Sequence, residues 1–246
     1  MERFLLLLGA GLLGGSMNAI AGGGSFVTFP ALVFAGLPPS IANATNTVAL
    51  LPGTIASSWA YRHGMTGVGG LSLRVLLPIT LVGGLIGALL LLLTPPHIFD
   101  AVVPWLLLLA TSVFAGGREL VQRVSGRVHI GKVPVLIAQF LIAIYGGYFG
   151  GAVGLMMMAV WSLFDSADLK SMAPARTLLT SAANGLAALC FAVAGTVRWP
   201  EMLAMMAGVV AGGYLGARAA RFLPARILRV AVVALCAGTT VYFFRR

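Results

Sequence analysis

Polar residues are scarce in this sequence of 246 residues, so the few that fall deep inside apolar stretches stand out as candidates for chemistry. The first group is Asn18, followed by Gly22-Gly23-Gly24-Ser25 and Phe26-Val27-Thr28-Phe29-Pro30. A helix broken at such a glycine cluster leaves backbone N–H groups without intrahelical partners. A half-helix starting near Ser25 would then aim the positive end of its dipole at whatever lies before it. That is the outline of an anion site, although the same glycines would equally serve close helix packing. The second group, Asn43-Ala44-Thr45-Asn46-Thr47, offers an amide donor at Asn46 and hydroxyls at Thr45 and Thr47. These can serve a bound oxyanion or the exposed backbone of a neighbouring hairpin. The third is Arg176 with Thr177, Thr180, Ser181 and Asn184. Arg176, Thr180 and Asn184 follow at i, i+4 and i+8 and share one helical face. A guanidinium fork suits an oxyanion, unless it only snorkels from the helix start near Lys170.

Other chemistries lack their parts. No Asp or Glu is expected within a span, which disfavours a carboxylate proton relay or an acid-built cation site. Gly24-Ser25 is not followed by the glycine of a Gly-x-Ser-x-Gly elbow, and no His falls at depth to activate the serine. Cys190 and Cys236 sit singly in apolar runs without metal-ligand or disulfide spacing. An enzyme is therefore disfavoured, and neither a cofactor nor a metal is expected.

The elements that must position these residues are membrane helices. Hydrophobic residues make up 59% of the chain and charged ones 9%, against about a quarter charged in soluble domains. The net charge of +10 follows from basic residues flanking membrane spans, and nothing interleaves them with aromatics as a nucleic-acid surface would. No nucleic acid is expected as a partner. Between Arg3 and Arg62 lie 58 residues without a charge, and between Lys132 and Asp165 lie 32. A straight helix of the shorter length would measure about 48 Å, well beyond the roughly 30 Å hydrocarbon core, so each stretch must turn at its glycines. The chain divides into two broken hairpins, about 4–36 and 133–164. Six simple spans complete it, at about 41–61, 74–94, 100–118, 171–195, 200–218 and 226–244.

The two halves, 1–128 and 129–246, repeat. A shift of 129 lays Gly83-Gly84-Leu85-Ile86-Gly87 on Gly212-Gly213-Tyr214-Leu215-Gly216, and a shift of 130 lays Gly24 on Gly154 and Asn46-Thr47 on Arg176-Thr177. The first stretch could pass for a secretory signal, with Ala19-Ile20-Ala21 as its cleavage site, but its internal counterpart makes it an integral element. If both hairpins crossed fully, the loops on the two sides would hold ten and five basic residues; if both are re-entrant, eleven and four. The second division obeys the positive-inside rule better, and three crossings per half then make the repeats inverted. The expected fold is an all-α integral membrane protein of two inverted repeats, each a glycine-broken hairpin followed by three transmembrane helices.

The run Asn18 to Pro30, then Ala35-Gly36-Leu37-Pro38-Pro39 and Ala44-Thr45-Asn46-Thr47, with Ala194-Gly195-Thr196-Val197-Arg198-Trp199 in the second half, resembles the TauE/SafE sulfite exporter family. The resemblance covers almost the whole chain. It implies a secondary transporter of small sulfur-containing anions, such as sulfite or organosulfonates, in a bacterial inner membrane. By position, the family's motifs fall on Gly22, Gly23, Gly24, Thr45 and Asn46 and on Arg176, Thr177 and Asn184. With Asn18, Ser25 and Gly154 these make the expected substrate site, reached alternately from the two sides. Two departures bear on the ligand: Thr47 replaces a lysine common in relatives, and the second glycine motif is reduced to Gly150-Gly151-Ala152-Val153-Gly154. An anion channel, or a membrane-embedded enzyme acting on a sulfur compound, are the alternatives. The expected partners are the anion and the lipid bilayer, with a homodimer as one assembly open to the chain.

Overall fold

The computed structural model describes residues 1–21, 23–60, 62, 67–68, 70–124, 131–164, 169–219 and 225–245. Among them are ten helices and no strand. In the first half these are α1 (Glu2–Ala21), α2 (Ser25–Phe34), α3 (Pro39–Ala60), α4 (Leu73–Leu93) and α5 (Pro96–Val124). In the second they are α6 (Lys132–Tyr148), α7 (Val153–Phe164), α8 (Leu169–Val193), α9 (Trp199–Ala219) and α10 (Ala225–Arg245). Glycine-rich breaks separate α1 from α2 and α6 from α7. At the second break Gly150 takes φ +82° and Ala152 φ +58°, the latter a conformation that L-residues adopt only at a cost of about 1–2 kcal/mol. Helices α2 and α7, of 10 and 12 residues, are only about 15–18 Å long.

Long-range contacts fix which helix ends lie together. Arg3 at the start of α1 pairs with Glu201 at the start of α9 (2.8 Å), and the Arg198 N–H donates to Thr45 in the second turn of α3 (3.1 Å). The starts of α1, α3 and α9 therefore share one end of the bundle, called here the near end. Helix α1 runs parallel to α9, with Gly11 against Met205 and Ser16 donating to the Gly212 carbonyl. Helix α2 returns toward the near end, where Phe34 packs on Tyr242. In the second half α6 runs parallel to α4, with Gly83 against Phe140 and Gly87 against Tyr148. Trp161 of α7 then returns toward the start of α6, donating its Nε1–H to Gln139. The first hairpin thus opens at the near end and the second at the opposite, far end.

The packing itself follows a pattern. The first helix of each half lies along the fourth helix of the other, α1 on α9 and α6 on α4, and both pairs approach so closely that only glycine fits. A Cβ at Gly15 would collide with the Val209 backbone, one at Gly212 with Leu12, one at Gly87 with Ile144 and one at Gly147 with Gly84. Antiparallel α3 and α8 form the centre, joined where Ser181 donates to the Thr54 carbonyl (2.8 Å) and Ser58 to Ser181 (3.0 Å). Antiparallel α5 and α10 meet at Thr111 and Thr240, hydroxyl to hydroxyl at 3.1 Å, residues 129 apart. A buried polar cluster locks the second hairpin to α4: Gln139, wholly buried, donates to Thr80 (2.8 Å) and accepts from Trp161 (3.1 Å). Every member is satisfied, as a polar group away from water must be.

Outside, the surface is apolar. Leu5, Leu13, Ile55, Trp105, Leu141, Leu189 and Val193 stand exposed, an arrangement that only lipid stabilises. Among the described residues three helical stretches are apolar and long enough to cross a bilayer, Leu73–Leu93, Pro96–Val113 and Ser171–Val193.

Candidate functional site

A cavity of about 100 Å³ lies between the broken hairpins and the central pair α3/α8. Asn18 of α1 and Ser25, the first residue of α2, supply one wall. Gly150 and Ala152 to Leu155, at the second break and the start of α7, supply the facing one. Leu50, Thr54 and Ser57 of α3 and Arg176, Thr177, Thr180 and Asn184 of α8 close it. Its volume equals about three waters, the scale of a small oxyanion.

The local sequence explains the convergence. Both half-helices begin at the cavity, so two positive dipole ends meet there. Most of their first-turn N–H groups are already used: Phe26 and Val27 donate to the Gly23 and Gly24 carbonyls, and Leu155 to the Ala152 carbonyl. Arg176 lies half-buried, its stem passing over Gly154. A Cβ on Gly154 would come within 3.0 Å of Arg176 Cδ and 3.2 Å of Cγ, so the glycine makes room for the guanidinium arm. The hydroxyls of Thr177 and Thr180 donate to the Ala173 and Arg176 carbonyls one turn back, which leaves their oxygens as acceptors and holds the side chains in place. No carboxylate lines the cavity among the described residues. One guanidinium, two helix starts, an asparagine pair and hydroxyls make a site of positive potential suited to an oxyanion.

Six of the expected substrate-site residues come together at this cavity, Asn18, Ser25, Gly154, Arg176, Thr177 and Asn184, and Thr180 of the same α8 face joins them. Others lie elsewhere. Gly23 and Gly24 are buried; a Cβ on Gly24 would stand 2.6 Å from the Gly14 carbonyl oxygen and 2.9 Å from Asn18 Cβ, so this glycine lets α2 start against α1. Gly22 lies outside the described residues. Thr45 and Asn46 do not line the cavity. The Thr45 hydroxyl accepts the Arg198 N–H, and the Asn46 side-chain oxygen accepts from the Thr28 hydroxyl. Both are almost fully buried on the near-end side of the site.

Two lining residues, Thr54 and Ser57, were missed. Their signal was available, since both lie 3–4 residue steps along α3 from the Asn43–Thr47 group and share its face. An acid was also missed. Glu201 falls within the expected span 200–218, and it is 3% exposed, held by Arg3 at 2.8 Å and Arg198 at 3.7 Å.

An all-helical bundle with an apolar exterior and a buried, cationic cavity between two broken hairpins is the architecture of a membrane transporter. Residues 7–243 match the sulfite exporter TauE/SafE family, and the chain belongs to that family. It is similar to the probable membrane transporter protein YfcA of Escherichia coli K12, with 27% identity over 94% of this chain and 87% of the relative. A probable membrane transporter protein of a Sinorhizobium species is 30% identical over 91% and 85% of the two chains. One of Haemophilus influenzae is 27% identical over 89% and 85%. No solved structure matches. The family is one of membrane transporters and not of enzymes.

Proposed function

We propose that this protein carries small sulfur-containing anions, sulfite or organosulfonates, out across a bacterial inner membrane by alternating access to the cavity between its two halves. The observation that carries the reading is the convergence of Arg176 with the starts of α2 and α7 on one small cavity, which no carboxylate lines among the described residues. A sulfite-sized oxyanion can accept hydrogen bonds from the guanidinium and from the Asn18 and Asn184 amides, with two helix dipoles adding positive potential. Asn46, with Thr45, Gly23 and Gly24, belongs to the region that closes and reopens the site.

In this reading the halves are inverted repeats and the hairpins re-entrant. Support comes from the hairpins opening at opposite ends of the bundle and from the charges. By sequence, the loops assigned to the far end carry eleven basic residues, and those assigned to the near end carry Arg3, Arg198, Arg245 and Arg246. The far end then faces the cytoplasm, and both termini face outward. A single-cysteine protein carrying Lys132→Cys tests the orientation, since labelling of that site from outside intact cells by an impermeant reagent would overturn it.

An inside-negative potential favours expulsion of one negative charge by about 2.3 kcal/mol per 100 mV, so export needs no proton relay. The deciding experiment is sulfite flux in proteoliposomes, with sulfate, sulfonates and thiosulfate as competitors. Saturable flux with counterflow is expected. Flux that rises without saturation would mark a channel, and no flux of any of these anions through folded protein would overturn the substrate class.

A further inference from the structure

Helix α3 carries one stripe from end to end: Ser40, Asn43, Thr47, Leu50, Thr54 and Ser57, spaced 3, 4, 3, 4 and 3. All but Leu50 are polar, in a helix that lipid and apolar neighbours surround. The last three line the anion cavity. The first, Ser40, lines a second cavity of about 150 Å³ at the near end, together with Thr94 and Thr196. Asn43 and Thr47 lie between the two, where two hydrogen bonds seal the way. Asn43 Nδ2 donates to the Tyr148 carbonyl at 2.8 Å, tying α3 to the end of α6, and one turn away Thr28 of α2 donates to Asn46. Asn43 is 1% exposed and its Oδ1 has no partner, a costly state for an amide that is satisfied only on its nitrogen side.

The repeat tells what lies on each side of the seal. A shift of 130 relates Asn18 to Tyr148, Asn46 to Arg176 and Thr47 to Thr177. Asn18, Arg176 and Thr177 line the open cavity, while their counterparts Tyr148, Asn46 and Thr47 are outside it. By contrast, the equivalent pairs Leu50 with Thr180 and Thr54 with Asn184 line it together. The cavity is therefore symmetric at its centre and one-sided at its mouth.

We propose that the Asn43–Tyr148 and Thr28–Asn46 hydrogen bonds are the closed gate between the anion site and the near-end cavity, which is the vestibule on that side. When the halves exchange arrangements the gate parts. Asn46 and Thr47 then face the anion where Arg176 and Thr177 face it now. The anion meets a guanidinium on the far-end side and a neutral amide on the near-end side, and the weaker neutral contact favours release there. This rests on the alternating-access reading above.

The test uses the full chain with Cys190→Ala and Cys236→Ala, carrying Thr47→Cys as the reporter. Vesicles of either orientation are exposed to a membrane-impermeant maleimide without substrate, so a failure to transport sulfite leaves the result intact. Thr47→Cys should label slowly from the near end, while Ser40→Cys, in the vestibule, labels fast. Adding Asn43→Ala should speed near-end labelling of Thr47→Cys by about tenfold, the weight of one hydrogen bond in an open–closed equilibrium. Thr28→Val, which removes the other bond with little change of shape, should act in the same direction and carries the test if the first variant misfolds. Unchanged labelling in folded variants would overturn the gate, as would Thr47→Cys labelling as fast as Ser40→Cys in the unaltered background. A lower unfolding temperature without altered labelling would mean that Asn43 only caps the end of α6.

Discussion

At the residue scale, Arg176 and Gly154 act as a unit. The guanidinium supplies the only full positive charge among the described cavity-lining residues, and the missing side chain at 154 decides where its arm runs. Arg176→Ala should weaken the anion's apparent affinity by about 10–100-fold, the range for a charge-assisted hydrogen bond, measured as the half-saturation concentration of flux. Gly154→Val should impair transport as well, because its branched side chain would occupy the arm's path; flux in variants shown to be folded checks it. Glu201 illustrates a different economy of charge. Its carboxylate is buried but Arg3 is 40% exposed and Arg198 stays beside it, so Arg3→Ala should destabilise the fold by about 1 kcal/mol, less than for a fully buried pair. Thermal unfolding in detergent would show it.

At the element scale, two short helices do what two uninterrupted ones could not: they begin inside the protein and so bring their starts to one point. The glycine-lined seams of α1 on α9 and α6 on α4 hold them there. Gly87→Leu would force apart backbones already in contact and should cost about 3 kcal/mol or prevent assembly, measured by the same melts, while the exposed Leu189→Ala should cost far less. Much of this was legible in sequence. Charge-free stretches too long for one helix and glycine clusters within them mark breaks, and the i, i+4, i+8 spacing of Arg176, Thr180 and Asn184 marks a wall that the cavity does contain. What could not be read was partner choice across the bundle. Asn46 and Arg176 occupy equivalent positions, yet one accepts a hydrogen bond from Thr28 within the packed side and the other lines the cavity. Periodicity gives each residue its face but not which facing helix happens to lie open. Glu201 was misjudged for a related reason, since its burial depends on Arg3, nearly two hundred positions away.

At the scale of the whole molecule, the proposed carrier has two poses, and the cavity lined by Arg176 with the near-end hydrogen bonds of Asn43 and Asn46 would be one of them. If the transported species bears net negative charge, flux should change with membrane potential. Identical rates at zero and at 100 mV inside-negative, clamped in proteoliposomes, would contradict that. The contact between Thr111 and Thr240 adds something about symmetry. These residues lie 129 apart, the offset at which the two halves of the sequence repeat, and they touch each other. Under the proposed inverted repeat, the axis relating the halves would pass between them. A threonine placed on such an axis meets its own counterpart, so one substitution there, made alike in both halves, would alter both sides of the same contact at once.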